Sequence, residues 1–554
     1  MRLGRLPVPL LSIGTLVALV AMPAQAGGAL AASPAHSYIK CSTGAIVCTE
    51  VNEPNALGSY YVGHDEPSTL FYSNQNGSGN QNQWQMVLPS DPPPDGAAGR
   101  SYNFELHPAF WFGMAMCDTQ SAPHPAAIHT CAADSDANIT SDANIANHAG
   151  TAFMEMQFYP PGWKLWPPGN SCDATKWCAA LNIDSLSRDY STGQDLNATC
   201  QGTTGLEYVN FAFITKNGVP QGPPNPVEST FDGTFTPNLS ADLLMNSGDT
   251  IITTMHDTAH GLRIDIKDAT TGASGFMVAS AANGFGQVKF APDPSTECTN
   301  IPYDFHPMYS TSSPATRVPW AAHSYNIAFA DEIGHFDFCT VTNGGNGHSC
   351  LRGTGLEGVP GDQEARDGDD FSCFNASESS LVPVTGCTFT NGGFDGVPYQ
   401  PVWPDGSPNH PTPIMFSSPL TGPNYHQNYK QMGFEADLPR VEFSDTSTAG
   451  TCDRTTGIGC TLIPATDDPN GSGGFVPANF YPFFSINQSA GNCLWLIGND
   501  VPGVTTNDFG KNAQYGSFLN LTYPAFGGGG TTTQRINDFR NIIANPCPNE
   551  AGNR

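Results

Sequence analysis

Glu155 and Gln157 stand two residues apart in Ala152-Phe153-Met154-Glu155-Met156-Gln157-Phe158-Tyr159, a run in which apolar and polar residues alternate. Alternation with period two reads as a β-strand, which puts Met154, Met156 and Phe158 on one face and Glu155, Gln157 and Tyr159 on the other. A carboxyl, an amide and a phenol on one sheet face have the chemistry of a general acid, base or nucleophile with its positioning groups. The competing reading is an ordinary polar sheet face. Glycosidic cleavage needs a second carboxyl about 5–10 Å away on another element. Glu332, in Phe329-Ala330-Asp331-Glu332-Ile333-Gly334-His335-Phe336, is the first candidate, and Glu105, just before His107, is another. Tyr159, Trp163 and Trp166, together with Trp177, offer rings that can stack on a sugar.

Calcium is the metal to expect. Asp362, Glu364, Asp367, Asp369 and Asp370 crowd one short segment, with Asp395-Gly396 and Asp405-Gly406 downstream. Such oxygens suit a hard cation that relieves their mutual repulsion, although their spacing is not that of an EF-hand loop. Asp362, Asp367, Asp369 and Asp370 are taken as the ligands of a structural Ca²⁺, against the plainer reading of a solvated acidic loop. His256 and His260 are four apart but lie at a turn, without the HExxH pattern of zinc peptidases. Satisfied structural histidines are the commoner outcome for such scattered residues. No GxSxG elbow, phosphate-binding loop or dinucleotide fingerprint occurs, so no nucleotide cofactor is expected.

Other strands must carry these residues. Val209–Thr215, Ile251–His256, Gly261–Asp268 and Ser274–Ser280 follow one another with Gly, Asn and Asp turns between them, and Tyr102–Met116 and Ala322–Phe338 read as further strands. Short strands at this spacing predict a mainly β chain built as an antiparallel β-sandwich. With 59 glycines and 47 prolines there is little room for long helices. The best short helix is Thr533–Ala544, with Ile536, Phe539 and Ile543 on one stripe.

Residues 1–26 have the form of a cleaved signal peptide. Arg2 and Arg5 precede the apolar run 9–22, and Ala24-Gln25-Ala26 supplies the cleavage pattern. Beyond it come a β-sandwich domain at 27–338, a Cys-, Gly- and Asp-rich insert or small domain at 339–474, and a C-terminal segment at 475–554 that packs on the β-domain. No later stretch has the length of a membrane span. All 16 cysteines follow residue 26 and none forms a CxxC pair. That usage fits disulfides in an oxidising compartment, secreted or periplasmic. Close neighbours suggest bridges of Cys41 with Cys48, Cys117 with Cys131, Cys172 with Cys178, Cys339 with Cys350, Cys373 with Cys387 and Cys452 with Cys460. Cys200 with Cys298 and Cys493 with Cys547 remain by elimination, although spacing alone does not fix connectivity. A formal charge of −29 argues against nucleic acid and anionic membranes as partners.

Between about 100 and 340 the strand vocabulary resembles that of secreted concanavalin A-like β-sandwich proteins, which include polysaccharide hydrolases, polysaccharide lyases and acid-active glutamic peptidases. Ser247-Gly248-Asp249-Thr250-Ile251 and Ile264-Asp265-Ile266-Lys267-Asp268-Ala269-Thr270-Thr271-Gly272 are similar to the G-D-T-I and I-E-x-x-T-x-G strands of the glutamic peptidases. The resemblance implies a concanavalin or jelly-roll-like sandwich. The peptidases pair a Gln and a Glu on facing strands; neither position aligns here, so Gln157 and Glu332 rest on geometry alone, and the Cys-rich second half departs from the compact peptidase pattern. Three functions follow as expectations. The first is a secreted hydrolase or lyase using carboxyls on an extracellular polymer, a polysaccharide above all. The others are a glutamic-type acid peptidase and a non-catalytic, calcium-stabilised extracellular binding protein.

Overall fold

The computed structural model describes residues 68–72, 81–90, 102–121, 151–161, 172–186 except 174, 197–289 except 206, 298–307, 327–336, 414–437 except 423, 484–487, 494–497, 508–509, 518–524, 531–545 and 547. These residues are mainly β. The strands of the first half are β1 (Ser68–Tyr72), β2 (Gln81–Val87), β3 (Tyr102–Cys117), β4 (Thr151–Tyr159), β5 (Cys178–Leu186), β6 (Glu207–Phe213), β7 (Thr250–Thr258), β8 (Gly261–Asp268), β9 (Ser274–Val278), β10 (Gly286–Val288) and β11 (Asn300–Pro302). Those of the second half are β12 (Ile327–Phe336), β13 (Ile414–Ser417), β14 (Leu420–Thr421), β15 (Gln427–Asn428), β16 (Gln431–Asp437), β17 (Phe484–Asn487), β18 (Leu494–Ile497), β19 (Asp508–Phe509), β20 (Phe518–Pro524) and β21 (Thr531–Ala544). Among the described residues one short α-helix, α1, spans Ala198–Thr204, with a π-helical turn at Phe231–Phe235 and a 3-10 turn at Ala281–Asn283.

Two large antiparallel sheets carry most of these strands. The first is nine-stranded in the order β20-β21-β16-β1-β12-β3-β4-β5-β6, and the second is eight-stranded in the order β19-β17-β18-β13-β2-β7-β8-β9. The strands expected around Glu155, Val209, Ile251, Gly261 and Ser274 are all present. Of the segment 339–474, the described residues supply β13 to the second sheet and β16 to the first, so this part of the chain is woven into both.

The helix expected over Thr533–Ala544 is not formed; those residues lie in β21. Apolar residues three and four apart fit a helix, but β21 pairs with β20 over residues 531–537 and with β16 over residues 538–544. Two complete ladders outweigh a local preference that is worth only tenths of a kcal/mol per residue, about 0.7 at most.

Aromatic rings from the two sheets meet in a shared core. The ring of Trp84 on β2 lies 4.6 Å from Phe112 on β3, 5.5 Å from Phe329 on β12 and 5.1 Å from Phe416 on β13. Phe110 stacks on Phe158 at 4.7 Å and lies 5.7 Å from Trp177. Phe110, Phe112, Met154, Met156, Phe158, Leu181 and Ile183 are all at most 1% exposed. Burying each large side chain stabilises the fold by roughly 1.5–3 kcal/mol. Trp177 therefore belongs to this core, its Nε1 donating to Ser247 Oγ at 3.0 Å, and does not present a ring to a sugar.

The β-turn motifs have direct explanations. Asp249 Oδ2 accepts from the backbone N–H and side-chain amide of Asn246, each at 2.7 Å, which closes the turn into β7. Asp268 accepts from the N–H groups of Thr270 and Thr271 at 2.8 and 2.9 Å and from the Thr271 hydroxyl at 2.5 Å. Arg263 of β8 grips Asp265 with two bonds at 2.7 and 2.6 Å and lies over the Phe276 ring.

Two disulfides follow the expected pairing, Cys172–Cys178 with Cα atoms 5.7 Å apart and Cys200–Cys298 at 5.0 Å. Cys117 and Cys547 are also disulfide-bonded. Their expected partners, Cys131 and Cys493, lie outside the described residues. So do both members of the four other expected bridges: Cys41 and Cys48, Cys339 and Cys350, Cys373 and Cys387, and Cys452 and Cys460. No helix among the described residues is long and apolar enough to cross a membrane.

Candidate functional site

The site is built on the face of the first sheet that turns away from the aromatic core. β4 presents Glu155, Gln157 and Tyr159 there, and the ladder fixes their neighbours: Glu155 is flanked by Gly113 of β3 and Asn182 of β5, and Gln157 by Trp111 and Ala180. Asp184 lies opposite Phe153, one pleat from the Glu155–Asn182 pair and on the same face. Phe211 and Phe213 of β6 stand beyond Asn182 and Ala180.

The three β4 side chains form one hydrogen-bonded row. The Tyr159 hydroxyl donates to Gln157 Oε1. Gln157 Nε2 then donates to Glu155 Oε2 at 2.6 Å. Because an ionised carboxylate only accepts, the amide nitrogen must point at Glu155, which leaves the amide oxygen for the phenol, and the row has a fixed direction. Gly113 makes the row's other wall possible. A Cβ there would lie 2.5 Å from Cζ3 of Trp111, so only glycine lets that indole fold down beside Glu155.

The polar side chains on this face are nearly enclosed: Glu155 and Asp184 are each 5% exposed, and Gln157 and Asn182 each 8%. Enclosing so many polar groups is costly and needs compensation, which makes the face stand out from an ordinary solvated one. Part of the enclosure comes from the chain after β6, whose Phe235 packs 5.0 Å from Phe211 and whose Leu244 adds to the cluster of Tyr159, Cys178, Ala180 and Phe213.

Asp242 anchors that covering segment. It bridges to Thr215 through the backbone and accepts from the Asn238 N–H at 2.8 Å, and burial pushes its carboxyl up to about 7. An acid whose folded pKa is raised binds more protons folded than unfolded, so its contribution is fully present below its ordinary value and is lost as pH rises through about 7. His306 acts in the same direction, since its 2.8 Å bond to Asp257 raises its pKa and that contribution fades as pH climbs above the usual histidine range. Asp268 opposes them: burial pushes its carboxyl up, but the Thr271 hydroxyl and the Thr270 and Thr271 N–H groups outweigh it and hold the acid below its ordinary value. The expected result is a melting temperature that declines from about pH 4 to pH 8, and Asp242→Asn should flatten the decline by removing about 2 kcal/mol of it. Thermal melts of both proteins across that range are the check, and parallel curves would refute the assignment.

The other expected residues fall as follows. Glu332 lies at an irregular step of the β12–β3 ladder, where pairing jumps from Asp331–Phe110 to Ile333–Glu105. The extra residues on β3 include Pro108, which has no N–H to donate to a ladder. β3 separates β12 from β4, and Glu155 lies level with Gly113 and Ala328, so the backbone of Glu332 is two strands across and four residues along from Glu155. Trp163, Trp166 and the acidic residues Asp362, Asp367, Asp369 and Asp370 lie outside the described residues. Among the described residues no group of three or more His, Cys, Asp or Glu side chains could hold a metal. Asn182 and Asp184 were not expected, although they alternate with Leu181 and Ile183 in the pattern that marked β4.

No protein-family model matches this chain, and no curated protein matches its sequence.

Proposed function

We propose that this chain is a secreted hydrolase of an extracellular polysaccharide, acting through Glu155 and Asp184 on one face of a concanavalin-like sandwich. The observation that supports it most is the placement of two enclosed carboxyls at diagonal positions of adjacent strands, Glu155 opposite Asn182 and Asp184 one pleat further along. Diagonal neighbours stand about 7–8 Å apart, within the separation that leaves room for a water between two catalytic carboxyls, roughly 6.5–9.5 Å. Glu155, held by the Gln157 amide, serves as the base that activates water, and Asp184 as the acid that protonates the leaving oxygen. Tyr159 fixes the amide. The aromatic core shared by the two sheets supports the sandwich, and the cysteine pairs support an oxidising compartment.

A second reading has its own support. The 2.6 Å bond between Gln157 and Glu155 supplies the carboxyl-and-amide pair of an acid peptidase, although here both residues share a strand. Two substitutions separate the readings. On a panel of polysaccharides between about pH 3 and 7, Asp184→Asn should cost at least 100-fold in kcat if two carboxyls do the work. For peptide release from denatured casein, Gln157→Ala should be the damaging change and Asp184→Asn nearly silent. A wild-type protein that releases neither sugars nor peptides would remove both readings.

A further inference from the structure

Asn182 has no role in the chemistry above, yet it is the residue directly across from Glu155. It is 8% exposed, and its Oδ1 is buried without a hydrogen-bond partner. Two more deeply buried amides, Asn210 and Asn225, are tied down. Asn210, 0% exposed, donates to the Gly286 carbonyl and accepts from the Gly286 N–H at 2.8 and 2.9 Å. Asn225, 1% exposed, bonds to Glu228 and to the Gly284 carbonyl. An enclosed amide oxygen without a donor costs stability, because its hydration is lost and nothing replaces it. Ala180 on the same face of β5 and Phe211 directly across on β6 would give an aliphatic side chain at position 182 apolar neighbours.

We infer that Asn182 is a specificity-determining residue whose amide binds a substrate hydroxyl next to the bond that Glu155 and Asp184 cleave. The inference rests on the carboxyl-pair reading of the site. A hydroxyl both donates and accepts, so it completes Oδ1 and can also take the amide N–H, whereas a hydrogen in its place leaves the amide unpaired. The chemical class is a sugar ring bearing a free hydroxyl adjacent to its scissile linkage, and a sugar lacking that hydroxyl is rejected.

The test uses the full-length protein with Asn182→Leu and Asn182→Ala, read by thermal melting and by kcat/KM on the best polysaccharide or aryl glycoside and on its analogue lacking the adjacent hydroxyl. Asn182→Leu should raise the melting temperature by about 2 °C, since an apolar side chain removes an unmet polar group. Both variants should lose roughly 10- to 100-fold in kcat/KM on the parent sugar but almost nothing on the deoxy analogue, which wild type should already turn over as poorly as the variants do. A fall in melting temperature for Asn182→Leu, or equal losses on the two sugars, overturns the role of Asn182 while leaving the carboxyl pair intact. Should wild type cleave no glycan, the carboxyl-pair reading fails, and the hydroxyl-binding role falls with it.

Discussion

Glu155→Gln should leave a folded protein that has lost at least about 1,000-fold in kcat, the largest effect on activity expected from any single change in the chain. The substitution keeps the size of the side chain and still offers an oxygen to the Gln157 amide, so the 2.6 Å contact and the Tyr159 bond behind it can persist. What disappears is the ability to take a proton from water. Because Glu155 is only 5% exposed, replacing its acid with a neutral amide also lightens the cost of enclosing it, and the melting temperature should hold or rise. This pairing of lost activity with kept stability distinguishes a catalytic carboxyl from a structural one. The measurement is kcat on the responsive substrate beside a thermal melt. Full activity in Glu155→Gln would move the chemistry off β4 altogether, and inactivity accompanied by a collapse in stability would make Glu155 a structural residue.

Much of this face was legible in the sequence because a strand advertises its own two faces. Met154, Met156 and Phe158 against Glu155, Gln157 and Tyr159 is a statement about β4 that needs no partner strand. The partner carboxyl was not legible in the same way. Asp184 comes near Glu155 only through the β4–β5 register, and a slip of one residue would have turned Asn182 and Asp184 to the opposite face. Glu332 met the sequence requirement for a second carboxyl on another element, but its strand lies on the far side of β3 and its ladder is broken at Glu332. β21 taught the converse lesson. Ile536, Phe539 and Ile543 satisfy a helical stripe, and only the strands that pair with this segment in turn, β20 and then β16, decide against it. Periodicity is local information, whereas pairing is decided by residues far away along the chain.

The largest loss of stability is expected at Asp118, which lies just after β3 and is fully buried. Its two oxygens collect four hydrogen bonds: from Ser185 Oγ at 2.7 Å, the Tyr208 hydroxyl at 2.8 Å, Gln287 Nε2 at 2.6 Å and the Gln120 N–H at 2.8 Å. These donors come from β5, β6, β10 and the turn after β3, so one carboxyl joins four parts of the chain. Burial pushes its pKa up and the four donors pull it back; the net rise means that its titration, like that of Asp242 and His306, favours the folded state in acid. Asp118→Ala removes the acceptor and leaves four enclosed donors unmet, which should cost about 3–5 kcal/mol. Tyr208→Phe removes one donor and leaves the carboxyl three, so it should cost only about 1–2 kcal/mol. Asp118→Asn should fall between them, because an amide oxygen still accepts on one side while its nitrogen meets donors on the other. Denaturant titrations of the three variants give the ordering, and an alanine variant as stable as the parent would show that the carboxyl is not a tie. The network also reaches the proposed active face, since Ser185 is the neighbour of Asp184 along β5. Loosening Ser185 lets that strand shift against β4 and changes the spacing of the two carboxyls. Asp118→Ala should therefore lose activity below its melting temperature, even though Asp118 touches neither carboxyl.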